Sequence, residues 1–196
     1  MRYKPEVIKT KRLVLKSLAD NDYPEMKEML LDKNISKTYM IPDFDDENKI
    51  RLFFERLKKL SLDSTKFIYG IYLNNVLIGF INEVYIEDDC IELGYFISSK
   101  NWNQGFASEA LEAAIKSLFD MGYNKIEAAH FESNPASGKV MQKCGMKQIN
   151  RDEFIEYRGQ NHKCIYYMIS KWLSQKKVER KELLWTDVCQ VDSENN

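Results

Sequence analysis

Hydrophobic positions along this chain recur in two periods, and the points where the period changes mark the elements. Thr10 to Leu18 alternates, with Leu13, Leu15 and Ser17 set against Val14 and Lys16, and predicts a first strand. Residues 1–9 before it read as a loose lead-in. Asp20-Asn21-Asp22 offers helix N-caps, and Pro24 suits a first helical turn leading to Met26, Met29 and Leu30. Asn34 to Asp46 reads as a loop containing Pro42. Glu47 to Leu62 places Ile50, Phe53, Phe54, Leu57 and Leu60 on one side of a second helix. Phe67–Leu73 and Val76–Ile86 are predicted strands joined at Asn74-Asn75, since asparagine tolerates positive φ in a tight hairpin.

The stretch Cys90 to Gly122 organises the rest. Ile91 to Ile97 is a β-branched and aromatic strand, and Ser98 to Gln104 is a polar loop. From Gly105, Ala107, Ala110, Leu111, Ala114, Ile115, Leu118 and Phe119 fall at helical spacing until Gly122. A strand thus runs through a glycine turn into a helix N-terminus, where unpaired N–H groups and the positive dipole end make a candidate anion site. Lys125 to Phe131 is the next strand, and Asn134-Pro135-Ala136-Ser137 opens a short helix that ends near Gly145. Met146–Phe154 and Lys163–Trp172 read as a final strand pair, with the YRGQNH stretch as a long hairpin loop.

This order predicts an α+β (mixed α/β) fold: a mainly antiparallel twisted sheet of about seven strands with four helices on its two faces. The strand–helix–strand unit around the central helix needs the one parallel crossover, expected to be right-handed. Residues 1–174 form the predicted domain. Residues 175–196 are a polar extension with one apolar patch, Leu183-Leu184-Trp185.

The 29 basic and 30 acidic residues give a net charge of −1 and no basic tract, which argues against a nucleic-acid partner. Cys90, Cys144, Cys164 and Cys189 are widely spaced, with no CxxC or Cys/His pairing, and read as reduced thiols. The N-terminal MRYKPEVIKTKR lacks the apolar core of a signal peptide, and no run approaches membrane-spanning length. The expectation is a cytoplasmic protein with no membrane partner and no metal; monomer and homodimer are both open.

Asn103-Gln104-Gly105-Phe106-Ala107-Ser108-Glu109-Ala110, after a strand ending Leu93-Gly94-Tyr95-Phe96-Ile97, resembles the acetyl-CoA pyrophosphate loop of the GNAT N-acetyltransferases. Among these it is most similar to the RimJ/RimL branch, which acetylates ribosomal-protein N-termini. Thr10 to Leu15 resembles the family's opening strand, and Val76 to Ile81 its "IG" strand. Asn134 to Ser137 with Val140 to Met146 resembles its pantetheine-side helix. The similarity covers about residues 8–173. It implies the GNAT fold, acetyl-CoA as cosubstrate, and coenzyme contacts from Phe96, Ile97, Ser98, Asn103, Gln104, Gly105, Phe106, Ala107, Ser108 and Asn134. The residues agree independently: a pyrophosphate bound without metal needs several N–H donors, and a glycine permits close approach. The strand beside the loop offers a free edge to the pantetheine amides.

Two positions depart from the family pattern. Trp102 stands where the loop usually begins with Gln or Arg, and is expected to pack beneath the loop or against the cofactor. Met141 stands where many members have a proton-donating tyrosine; the branch resemblance implies Ser137 as the partner of the departing thiolate instead.

Acetyl transfer to an amine needs deprotonation of the ammonium, stabilisation of the oxyanion and support for the leaving thiolate. Glu92 is the expected base, because it shares a strand face with Gly94 and Phe96 and half-burial raises a carboxyl pKa. A rim salt bridge is the plain alternative, and Glu83 in the neighbouring strand is the rival. A backbone N–H near Phe96 or Ile97 is the expected oxyanion donor. Ser137 also fits an ordinary first-turn or capping serine.

His130 reads as a packed strand residue and His162 as exposed in the hairpin loop, and Cys144 is the cysteine nearest to a nucleophile's place. The aromatics Phe53, Phe54, Tyr69, Tyr72, Tyr85 and Tyr95 read mainly as core, with those near the "IG" strand as candidates to line the acceptor slot. Asp43, Asp45, Asp46 and Glu47 read as a solvated helix start or as a lip for a cationic acceptor. The sequence therefore predicts an acetyl-CoA-dependent N-acetyltransferase acting by direct attack, with a protein N-terminal α-amine as the favoured acceptor. A small amine (aminoglycoside, polyamine, amino acid or dipeptide), a non-catalytic acyl-CoA-binding module and an interaction protein using Leu183–Trp185 are the alternatives.

Overall fold

The computed structural model describes residues 2–171, so the proposed 175–196 extension and the Leu183–Trp185 patch lie outside the described residues. Eight strands form one sheet in the order β1-β2-β3-β4-β5-β6-β8-β7. They are β1 (Val7–Lys9), β2 (Leu13–Lys16), β3 (Ile68–Leu73), β4 (Val76–Glu87), β5 (Cys90–Ile97), β6 (Lys125–Phe131), β7 (Lys147–Tyr157) and β8 (Gln160–Ser170). All neighbours run antiparallel except β5 and β6. The helices are α1 (Tyr23–Leu31), α2 (Lys33–Ser36), α3 (Glu47–Leu62), α4 (Phe106–Asp120) and α5 (Pro135–Lys143).

The two faces bury separate cores. On the rear, α4 and α5 cover Leu13, Leu15, Ile71, Ile81, Ile91, Leu93 and Ile126. On the front, α1 and α3 cover Leu18, Tyr72, Leu77, Phe80 and Phe96. The period-2 alternation divides each strand between these layers, and each fully buried Leu or Ile contributes roughly 1.5–3 kcal/mol. The front of β6, β8 and β7 differs. Its buried cluster of Phe131, Cys164 and Tyr166 packs against Ala129, Ile149, Ile155 and Tyr157, with no helical residue in it.

The sequence expectation needs three corrections. Residues 7–9 are an edge strand, paired Val7–Lys16 to Lys9–Val14, rather than a lead-in. Lys33–Ser36 is a short helix that takes up the start of the expected loop, with the Asp32 side chain accepting from Asn34 N–H at 2.8 Å. The final hairpin has no long loop: Arg158 and Gly159, at φ 53° and 70°, make a two-residue turn like Asn74-Asn75 at 49° and 68°. His162 is therefore a strand residue stacked on Phe131, ring centroids 4.5 Å apart, rather than an exposed loop residue.

Candidate active site

Strands β5 and β6 pair only from Cys90–Lys125 to Leu93–Ala128. Past Leu93 they diverge, because β6 continues along β8 to Phe131–Cys164 while β5 continues along β4 to Ile97–Gly79. The gap is the mouth of a cleft of about 540 Å³ lined by Gly94 to Ile97, Trp102, Asn103, Gly105 to Ser108, Ala129 and Asn134 to Ser137, among others. N–H groups alternate in direction along a strand. Ser98 N–H bonds the Ile78 carbonyl in β4 at 2.7 Å, so Phe96 N–H also faces β4. The N–H groups of Tyr95 and Ile97 face the cleft, at the edge β6 has left.

The loop above this edge is held from both sides. Trp102 Nε1 donates to the Ile97 carbonyl at 2.7 Å, which lays the indole back on the strand end. Arg12 Nη1 donates to the Gln104 carbonyl at 3.0 Å, and its Nε meets Glu109 Oε2 at 2.6 Å. Glu109 Oε1 accepts from Thr10 Oγ1 at 2.6 Å and from Arg12 N–H at 2.8 Å. Burial alone would raise the Glu109 carboxyl, but the hydrogen bonds from Thr10 and Arg12 and the Arg12 charge together hold it below the usual range.

Asn103 and Gly105 take φ of 61° and 80°, turning the chain into α4. The helix's first bond of its own is Glu109 N–H to the Gly105 carbonyl at 3.1 Å. The N–H groups of Phe106, Ala107 and Ser108 precede it and open at the cleft. A pyrophosphate fits this cradle, which offers backbone donors, a helix dipole and no Cβ at Gly105.

Ser137 lies in the first turn of α5, and its Oγ is 2.9 Å from the Tyr95 hydroxyl. Burial pushes the Tyr95 phenol up, against a smaller lowering by the Ser137 hydrogen bond. Met141, one turn further on, is fully buried and faces the rear core. The structure thus adds Tyr95 to the residues read from sequence. Its place in the strand pattern looks like core, and only the fold brings it to Ser137, 42 positions away. Ser98 and Gln104 do not line the cleft; Gln104 serves through its carbonyl.

Glu92 lies on the front face, two residues or roughly 7 Å along the strand before Gly94, where β5 is still paired to β6 beside Glu127. It does not line the cleft. Burial raises its pKa, Arg151 opposes that shift, and Glu127 and Glu153 add to it. Arg151 is itself held by Glu127 at 3.1 Å and Glu153 at 2.8 Å, and lies 3.9 Å over the Tyr166 ring. Glu83 pairs in register with Leu93 and so faces the rear. Its carboxylate accepts from Phe67 N–H at 2.7 Å and meets Lys66 Nζ at 2.9 Å, which commits it to that side.

The front wall carries Tyr39, whose hydroxyl donates to Asn82 Oδ1 at 2.6 Å and sits against Gly94. A Cβ on Gly94 would lie 3.0 Å from that oxygen. The acidic run is engaged: Asp43 with Arg158 at 2.5 Å, Asp45 with Lys49 at 2.6 Å and Glu47 with Lys27 at 2.8 Å. Asp46 caps α3, accepting from Lys49 N–H at 2.9 Å. The Cys144 thiol donates to the Ser108 carbonyl at 3.4 Å. His130 is buried, with Nδ1 2.7 Å from the Phe131 carbonyl and its ring against Gly138 and Tyr167. Among the described residues no three His, Cys, Asp or Glu side chains gather as a metal site, and no helix is long and apolar enough to cross a membrane.

The chain is similar to p20, an uncharacterized N-acetyltransferase of Bacillus licheniformis, at 28% identity over 141 residues, covering 69% of this chain and 79% of that protein. It is 29% identical over 143 residues to YnaD, an uncharacterized N-acetyltransferase of Bacillus subtilis (strain 168), covering 72% of this chain and 82% of that one. A GNAT-family acetyltransferase structure from Bacillus anthracis superimposes with a TM-score of 0.71 at 25% identity, covering 84% and 98% of the two chains. RimL, the ribosomal L7/L12 α-N-protein acetyltransferase, in complex with coenzyme A, shares the fold at a TM-score of 0.72 and 18% identity, covering 84% and 98%. The family model described as the acetyltransferase (GNAT) domain matches residues 12–147, a span that holds the splayed strands, the loop and Ser137. On that match the chain belongs to the GNAT family of N-acetyltransferases, with acetyl-CoA as cosubstrate.

Proposed function

We propose that the chain acetylates the N-terminal α-amine of a protein, by direct attack on acetyl-CoA. The observation that carries the choice of acceptor is the front face beside Glu92, where β6, β8 and β7 bear an apolar cluster with no helix in it. The cluster itself is buried, but with no helix among its residues this part of the front face suits the approach of a polypeptide end better than an enclosed slot made for a small amine. An acetyltransferase of Salmonella typhimurium that modifies the N-terminal serine of the 50S ribosomal subunit protein L7/L12 lends support by its TM-score of 0.72 at 17% identity.

In this reading Glu92, through a water near Gly94, takes the proton of the acceptor ammonium. The neutral amine attacks the thioester carbonyl from the front. The cleft-facing N–H groups of Tyr95 and Ile97 receive the oxyanion. As the N–C bond forms and the C–S bond breaks, the electron pair passes to sulfur, where Ser137 offers its hydroxyl from the rear. The adduct nitrogen gives up its second proton, which restores the thiol through solvent, and Glu92 releases the first proton to bulk water. No side chain becomes acylated.

The test is release of coenzyme A thiol from acetyl-CoA with two panels: unblocked peptides, and small amines (aminoglycosides, polyamines, amino acids). Turnover with peptides, abolished by N-terminal blocking, is the expected result. Turnover with small amines alone would overturn the acceptor assignment. Tight binding of acetyl-CoA with no turnover on either panel favours the acyl-CoA-binding module.

A further inference from the structure

We propose that Tyr95 is a positioning residue for acetyl transfer: its hydroxyl holds the Ser137 side chain so that the serine proton is directed at the departing sulfur. The inference rests on the role of Ser137 given above and adds a residue from the other wall of the cleft.

The geometry is specific. Tyr95 Oη is 2.9 Å from Ser137 Oγ and 3.3 Å from the Ser137 carbonyl, and both residues line the cleft. Each hydroxyl has one proton. When Tyr95 donates to Oγ, the shorter of the two contacts, the serine proton is left free for an acceptor within the cleft. Without Tyr95, a first-turn serine has a local alternative: its hydroxyl can turn back to the carbonyl three residues earlier, which holds it away from the cleft. That carbonyl belongs to Asn134, which already accepts Ser137 N–H at 3.2 Å. The tyrosine therefore competes with the helix for the serine. Burial keeps the Tyr95 phenol protonated, so it can serve as the donor. Met141, one turn along α5, has no proton to give, so on α5 the hydroxyl that faces the cleft is that of Ser137.

The test uses coenzyme A itself as the probe, so it needs no acceptor. Thiolate absorbance of the enzyme-bound thiol is titrated against pH, with the desulfo compound as blank, in the full-length protein. In the wild type the bound thiol is expected to ionise below the free thiol. Tyr95→Phe keeps the ring and removes only the oxygen; it should raise that pKa by about half to one unit, a three- to tenfold shift in ionisation. Ser137→Ala should do the same, and the double variant should go no further than Ser137→Ala alone. Coenzyme A affinity at low pH, where the thiol is neutral, should stay within about twofold, which separates positioning from a damaged cleft.

An unshifted titration in Tyr95→Phe, or losses that add in the double variant, overturns the proposal. A shift in Tyr95→Phe with none in Ser137→Ala also overturns it, since the tyrosine would then act alone. Failure of every variant and of the wild type to bind coenzyme A would instead overturn the reading of the cleft.

Discussion

The Arg12 guanidinium lies against the Glu109 carboxylate, Nε to Oε2 2.6 Å, and so ties the approach to β2 to the first turn of α4. The same guanidinium holds the Gln104 carbonyl. Glu109→Gln keeps the shape and removes the charge. Losing charge-assisted bonds of this kind costs about 1–1.4 kcal/mol, so the KM for acetyl-CoA should rise about five- to tenfold with kcat little changed. Lys116→Ala, which breaks an exposed pair with Asp120 on the same helix, should change neither. Glu109 is held below the usual carboxylate range, so its stabilising contribution is present above the unfolded-state pKa and is lost as pH falls through the lowered folded value. Acid unfolding of Glu109→Gln, followed by circular dichroism, should lack that part of the acid limb.

Glu92 has the opposite linkage. Its pKa is raised by burial and by Glu127 and Glu153, against Arg151. A raised carboxyl favours folding below its unfolded-state pKa, and that contribution disappears as pH climbs through the folded value. Above its raised folded-state pKa the ionised Glu92 is therefore a cost to the fold. Glu92→Gln should lower kcat by about 10²–10³ and abolish the acid limb of kcat/KM, while the melting temperature stays the same or rises. Arg151→Gln removes the guanidinium that lowers the Glu92 pKa and should move the acid limb to higher pH. Glu127→Gln removes a like charge and should move it lower. A limb that ignores all three substitutions would remove Glu92 from the mechanism.

Much of this arrangement is legible in sequence where a local rule sets it. The Gly105 turn, the α4 stripe and the Asn74-Asn75 hairpin follow from positive φ and from periodicity. Strand β1 escapes because Val7 and Lys9 are exposed and only Ile8 packs against the core, so three residues show no alternation. The β7–β8 turn escapes because the polar run Gln160 to Lys163 after Arg158-Gly159 hides the strand signal. Glu83 and Glu92 look equivalent as strand carboxylates until register puts Glu83 opposite Leu93 and sends it to the rear. Tyr95 is the clearest limit. A tyrosine in a buried strand reads as core, and nothing local marks the hydroxyl that meets it from α5.

Gly105 and its neighbour Asn103 predict a graded series. At Gly105 the nearest atom to an added Cβ is Arg12 Nη2 at 3.5 Å, so space is available and φ of +80° is the constraint. Gly105→Asn should be mild, since asparagine visits this region. Gly105→Ala should cost about 1–2 kcal/mol and weaken coenzyme A binding, and Gly105→Val should cost more. Isothermal titration with coenzyme A checks the order. Equal losses for all three would mean that the cradle does not depend on the left-handed turn.

The tip of the last hairpin pins the segment that carries Tyr39 on the front wall of the cleft. The Tyr157 hydroxyl donates to the Ile41 carbonyl at 3.1 Å and accepts from Ile41 N–H at 3.3 Å, while Arg158 pairs with Asp43 and bonds Ser36 Oγ at 3.3 Å. These contacts pin the segment carrying Tyr39, which closes the front of the cleft at Gly94 and packs edge-on against Phe96 at 5.0 Å. They leave the pyrophosphate loop untouched, because that loop is held by Arg12, Glu109 and Trp102. Tyr157→Phe keeps the ring but leaves the Ile41 backbone groups without their partner, at about 1–3 kcal/mol. Amide exchange should quicken across residues 38–44, and the KM for the acceptor should rise several-fold while that for acetyl-CoA holds. A change in the acetyl-CoA KM of the same size would mean that the two halves of the site are not independently supported.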